Sequence, residues 1–156
     1  MRRFITLVTL AILSSVTTGV AGTIYWVGTT GNYSDGANWN TQSNGSGTSG
    51  APTNTDDIVI DRNATITIDG TYFPSSLWII NNAVVNFTNP ATSKTYTIGG
   101  SLSVSPQFKV EAGSTLNIQG TASIVIEVLA GSLAQIYGTI DITGSSSRMN
   151  YLGGTT

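Results

Sequence analysis

The chain of 156 residues has no cysteine and no histidine, only four prolines, and few charged side chains. Each absence excludes something. Without cysteine there is no disulfide, no lipid-modified anchor and no thiolate site, so stability must come from packing and backbone hydrogen bonds. Without histidine as well, the Ser-His-Asp and Cys-His nucleophile systems, the usual zinc sites and haem ligation are out of reach. Charged residues make up 9% of the chain and form no basic cluster, which argues against nucleic acid and against charge-driven attachment to an anionic membrane. No glycine-rich phosphate loop joins a strand to a helix, and no helical periodicity runs through residues 23–156.

What is present begins with a leader. Met1-Arg2-Arg3 is positive, Phe4 to Leu13 is almost uninterruptedly apolar, and small residues surround Val20-Ala21-Gly22. This is the pattern of a secretory signal peptide, assigned to residues 1–22, with cleavage after Ala21 or Gly22. The apolar run is shorter than the roughly 20 residues of a membrane-spanning helix, and polar Ser14, Ser15, Thr17 and Thr18 follow it. No stable membrane insertion is therefore expected once the signal is removed. Beyond it, eight carboxylates face Arg62, Lys94, Lys109 and Arg148. The net charge of that part is 4 − 8 = −4.

Abundant glycine, serine and threonine with little charge resembles a disordered composition, but alternating Val, Ile and Leu contradict it. From Leu77 onward the pattern is strand, corner, strand, with segments such as Val84–Phe87, Ser101–Val104, Thr115–Ile118, Ser123–Val128 and Thr139–Thr143. Corners fall at Asn81-Asn82, Ala112-Gly113, Gly120, Gly131 and Gly138, where a positive φ is permitted. The inward set runs from Ile66 and Ile68 through Leu77, Val85, Phe87, Leu102, Val104, Leu116 and Ile126 to Ile136, Ile140 and Ile142. Their outward neighbours are mostly Thr, Ser, Asn and Gln, the alternation of a half-buried sheet. Ala112-Gly113-Ser114 recurs 18 residues later as Ala130-Gly131-Ser132, and Val110 and Ile118 match Val128 and Ile136 at the same offset. That spacing predicts one turn of a β-solenoid. The competing architecture is an antiparallel sandwich, which hairpin turns would signal; such turns are nearly absent after Gly70.

The expected fold is therefore all-β: a right-handed parallel β-helix behind an irregular N-terminal cap, although the hand itself is not legible in the residues. The organisation reads as a cap over residues 23–63, rungs over 64–144, and a polar tail or cut continuation over 145–156. The C-terminal end of the solenoid is expected to stack on a continuation or a partner, because an open rung needs protection.

Candidate chemistry is sparse. Trp26, Tyr33 and Trp39 offer either a small core for the cap or a stacking platform for sugar rings. Asn54, Asp56, Asp57 and Asp61 supply hard oxygen donors near a turn, which is calcium chemistry, or are solvent-facing charges. Asp57 and Asp61 share a strand face about 13 Å apart by strand rise, beyond the roughly 5–9.5 Å of a glycosidase pair. No catalytic residues emerge and no cofactor is expected, calcium apart; the reading is of a protein that is not an enzyme.

Tyr25-Trp26-Val27-Gly28, Gly31-Asn32-Tyr33-Ser34-Asp35, Ala37-Asn38-Trp39, Gly50-Ala51-Pro52-Thr53 and Asp56-Asp57 together carry a likeness. This segment resembles the opening module of large secreted, repeat-rich β-helical surface proteins of Bacteroidetes, and of some autotransporter passengers. Tyr33 stands where tryptophan is usual in that module. The resemblance implies export and surface display, not catalysis. The functional expectation is a structural or adhesive extracellular β-solenoid, the N-terminal part of a larger adhesin-like protein, with surface glycans or matrix proteins as partners. The alternatives are a carbohydrate-binding module, or the non-catalytic start of a polysaccharide-degrading β-helix enzyme.

Expression in a secreting bacterial host, followed by N-terminal sequencing of exported protein, is expected to give a chain beginning at Gly22 or Thr23. Retention in the cytoplasm with Met1 intact would contradict the leader assignment.

Overall fold

The computed structural model describes residues 21–89, 91–99 and 104–152. Residues 1–20 of the assigned leader lie outside the described residues. So do Leu102 and all of the expected strand Ser101–Val104 except Val104, which sits in a bend.

Fourteen strands are formed among the described residues: β1 Thr23–Trp26, β2 Thr30–Asn32, β3 Trp39–Asn40, β4 Asp57–Ile60, β5 Ala64–Thr67, β6 Ser76–Ile79 and β7 Val84–Thr88; then β8 Lys94–Ile98, β9 Phe108–Val110, β10 Thr115–Ile118, β11 Ile124–Val128, β12 Ala134–Ile136, β13 Thr139–Ile142 and β14 Arg148–Tyr151. They make three sheets. The first has the order β12-β9-β6-β4-β1-β3, the second β13-β10-β7-β5-β2, and the third β14-β11-β8. From β6 onward successive strands visit the three sheets in turn, and all strand pairings are parallel except β1 with β3. The chain is a three-sided, right-handed parallel β-solenoid, the hand that parallel crossovers take. On the third side, the rung of β4 and β5 contributes only a bridge from Tyr72 to Tyr96.

Alternation fills the interior. Ile58, Leu77 and Phe108 stack in register on the first side, and Ile66 and Phe87 do so on the second, all fully buried. Ile98 and Val128 do the same on the third. The expected inward residues up to Val128 follow this rule, apart from the partly exposed Val104 and the undescribed Leu102. Ile136, Ile140 and Ile142 point inward but are not buried to the same degree, because their rung has a neighbour on one side only.

The 18-residue echo is not the rung. Ile58 pairs with Leu77, 19 positions on, Leu77 with Phe108, 31 on, and Phe108 with Ala134, 26 on. Ala112-Gly113-Ser114 turns the chain from the first sheet to the second, whereas Ala130-Gly131-Ser132 turns it from the third to the first. Both place glycine at φ +82° and close with the serine N–H donating to the carbonyl three residues back, Glu111 or Leu129. Asn81 and Asn82, at φ 60° and 57°, build the corresponding corner one rung earlier, closed by Ala83 N–H on Ile80. The repeat is a corner motif, two sides of the triangle apart. The stretch read as a polar tail also carries β14, which completes the third side of the last rung.

The corners make a testable contrast. Thr115 pairs with Val84, which sets Ser114 level with Ala83, and the Ser114 hydroxyl is buried with no hydrogen-bond partner. Ser114→Ala is expected to raise unfolding stability by about 1 kcal/mol in denaturant titration. Gly113→Ala is expected to lower it by about 1–2 kcal/mol through its left-handed backbone, and further because a Cβ there meets the Asn82 side chain. Gly131 has the same φ and no atom within 4 Å of such a Cβ, so Gly131→Ala should cost only the backbone part.

Candidate functional site

The N-terminal end is closed by aromatic rings. Asp35 caps the 3-10 turn Gly36–Asn38, accepting from the Ala37 N–H at 3.0 Å, and the turn brings β3 back antiparallel to β1 with Trp39 opposite Trp26. The two indoles meet edge to face at 4.9 Å, and Tyr33 lies 4.9 Å from Trp39. Trp39 Nε1 donates to the Tyr33 carbonyl at 2.7 Å, and Tyr96 OH donates to Tyr33 OH at 3.1 Å. Trp26, Tyr33 and Trp39 are 0%, 2% and 0% exposed. The structure brings the three residues together as a plug over the first rung, and they leave no ring face for a sugar.

The four candidate calcium ligands are not brought together. Asp56 closes its own turn, accepting from the Thr53 N–H at 2.7 Å, the Thr53 hydroxyl at 2.8 Å and the Gly22 N–H at 3.1 Å. Asp57 accepts from Ser76 Oγ at 2.9 Å; burial pushes its carboxyl up, the Ser76 bond opposes this, and Asp56 adds to the rise. Asp61 pairs with Arg62 at 3.1 Å, and Asn54 is exposed. Among the described residues no three acidic side chains are grouped to hold a metal ion. Each carboxylate serves a turn, a strand neighbour or a cation.

The lateral faces carry polar rows and clefts. On the second sheet, Thr30, Thr65, Asn86, Asn117 and Asp141 form one outward row in register. Asn117 Nδ2 donates to Asn86 Oδ1 at 2.8 Å, a side-chain ladder of the kind that stacked parallel strands favour. At the corner beside this row lies a cleft of about 240 Å³ lined by residues including Asn32, Thr67, Asp69, Asn89, Thr92 and Lys94. A second, of about 370 Å³, is lined by Thr67, Thr88, Asn89, Gln119, Gly120 and Thr121. The shared Thr67 and Asn89 join them into one groove crossing successive rungs, built largely from polar residues but exposing much of their apolar surface. Burial pushes the Asp69 carboxyl up, but donors from Ser34 Oγ, Tyr72 OH and the Ser34 N–H outweigh it and hold it below the usual carboxylate range. Lys94 has no ion-pair partner among the described residues.

On the first sheet, Tyr25, Val59, Trp78, Lys109 and Gln135 make another outward row. Tyr25 and Trp78 are part-exposed, and Trp78 Nε1 is fixed on the Pro106 carbonyl at 2.7 Å. The signal for this row was available. Tyr25 alternates with Ile24 and Trp26, and Trp78 with Leu77 and Ile79, so strand parity alone turns both outward.

No family model, curated protein or solved structure matches the chain. The parallel, unclosed multi-sheet topology is that of a β-solenoid and stands on strand order and register alone. No homology accompanies the likeness to the Bacteroidetes surface proteins.

The buried tyrosines set an alkaline limit. Burial drives the Tyr33 hydroxyl well above the ordinary tyrosine range, with Tyr96, Tyr72 and Asp56 adding to it. Burial raises Tyr96 as well, against the opposing hydrogen bond with Tyr33. A raised folded-state value means stability is complete below the unfolded tyrosine value of about 10, and is lost as pH rises from there towards the folded values. In an alkaline titration, tyrosinate absorbance from Tyr33 and Tyr96 is expected only together with loss of the β-sheet circular dichroism. Ionisation of all six tyrosines with the sheet signal intact would refute the plug.

Proposed function

We propose that the chain is a structural and adhesive module of an exported surface protein: a stiff β-solenoid that displays polar lateral faces to glycans or matrix proteins. The observation that carries this is the groove joined at Thr67 and Asn89, which runs across successive rungs and is lined mainly by Thr, Asn and Gln residues, their methyl and methylene groups included, with Asp69 and with Lys94, which has no ion-pair partner among the described residues. Such a surface suits an extended, hydroxyl-rich chain lying along the stack and making many individually modest hydrogen bonds. The leader at residues 1–22 supports export, and the absence of histidine and cysteine from the whole chain supports a non-enzymatic role.

A second reading, carbohydrate binding through stacking, draws on the outward row of the first sheet. The Trp78 indole is held in place by its bond to Pro106, with Tyr25 two strands away and Lys109 next in register. Pre-organised aromatic side chains of this kind present an apolar face at little entropic cost.

A panel of cell-wall polysaccharides and matrix proteins, screened against the exported chain, tests both. The groove reading expects binding that falls about tenfold in Lys94→Ala/Gln119→Ala and is unchanged in Trp78→Ala. The stacking reading expects the reverse, with a change in tryptophan fluorescence on binding. Absence of binding to every panel member would leave the scaffold role alone.

A further inference from the structure

The two ends of the solenoid differ. The first is closed by β3 and the buried rings of Trp26, Tyr33 and Trp39. At the other, β12, β13 and β14 each have an unpaired edge. Six of the eight exposed large hydrophobic side chains among the described residues gather there: Leu133, Ile136, Tyr137, Ile142, Tyr151 and Leu152. An apolar depression of about 540 Å³ opens between β12 and β14, floored by Ala134 and Met149. Scattered surface apolar groups need no partner, but a contiguous patch ringed by open strand edges does.

We propose that this end is the interface of a tail-to-tail dimer, each copy covering the last rung of the other. Head-to-tail stacking is blocked by the aromatic plug, so a self-complementary contact closes where a heterologous one would propagate. A two-fold axis across the stack, through the middle of the first side, sets β12 antiparallel to its own copy with Ala134 opposite Ile136. The same operation places β13 against the partner's β14, and both are four residues long. Ile140 and Ile142 then meet Tyr151 and Met149 across the interface, inward side against inward side. Charge agrees with this pairing. Asp141 on β13 and Arg148 on β14 are exposed and have no ion pair among the described residues. In the dimer each Asp141 lies diagonal to the other copy's Arg148, close enough for a long side chain to bridge.

Sedimentation of the chain from Gly22 onward, which keeps all fourteen strands, tests the proposal. The expected species has twice the chain mass, in reversible equilibrium with monomer. Asp141→Lys and Arg148→Asp are each expected to weaken dimerisation about tenfold or more, and the double charge swap Asp141→Lys/Arg148→Asp to restore it. Restoration separates a lost contact from a misfolded rung. Ile136→Asp should give monomer with unchanged β-sheet circular dichroism. A monomer at every concentration, an assembly larger than two, or a charge swap that fails to restore the dimer would each overturn the proposal.

Discussion

Every feature of this chain follows from one constraint: a rung cannot satisfy itself. Its strands are two to five residues long and carry their hydrogen-bond donors and acceptors along the stack axis, not within the rung. Its inward side chains are closed in by their own plane only at the sides, and the rest of their burial comes from the layers above and below. Ordering a rung's worth of backbone costs more than such partial burial returns, so stability arises between neighbours. Leu116 and Ile140 show the difference. They are register partners on the second side, yet Leu116, layered on both faces, is fully buried and Ile140, layered on one, is not.

The same constraint explains where the large aromatic residues went. The first described rung needs a lid that excludes water from its interior. Aliphatic side chains of a single strand cannot span that area, whereas two indoles and a phenol in edge-to-face contact can. Tyr33 also reaches down the axis to Tyr96 through paired hydroxyls, which ties the lid to a strand two rungs below. Burial of the rings removes them from ligand binding because their structural task consumes both faces. A side chain cannot at once be the floor of the core and a platform for solvent-borne sugar.

Much of the fold was legible because strand parity and corner chemistry are local. Inward residues such as Ile66, Leu77 and Ile126 declare themselves by alternation, and a positive-φ corner declares itself by glycine or by Asn-Asn. The rung length was not legible, since like corners recur at two different vertices of the triangle. A repeat search then measures the distance between like corners, and Ser114 and Ser132 are two sides apart, not one rung. Strand β14 was hidden for a related reason: Arg148-Met149-Asn150-Tyr151 has only weak hydrophobic alternation, because an outermost strand needs less of it. The candidate sites fared worse than the fold. Grooves such as that shared by Thr67 and Asn89 are made by residues about 20 positions apart whose adjacency depends on register. Register in turn depends on corner lengths, which set rungs of between 19 and 35 positions.

That variability bears on function. Because the core requires only inward parity and a closable corner, the outward rows and corner lengths are released from the demands of folding. Beside the groove, at the vertex between the second and third sheets, Asn89 is buried and donates to the Thr92 carbonyl and to the Ser123 carbonyl in the next rung. A vertex loop anchored in this way is rigid enough to shape a cleft and free enough to change its tip without disturbing the stack. The faces therefore separate into two kinds. Interiors and ends are fixed by the need for neighbours, and the vertices are where a solenoid of this type can acquire a ligand without losing its fold.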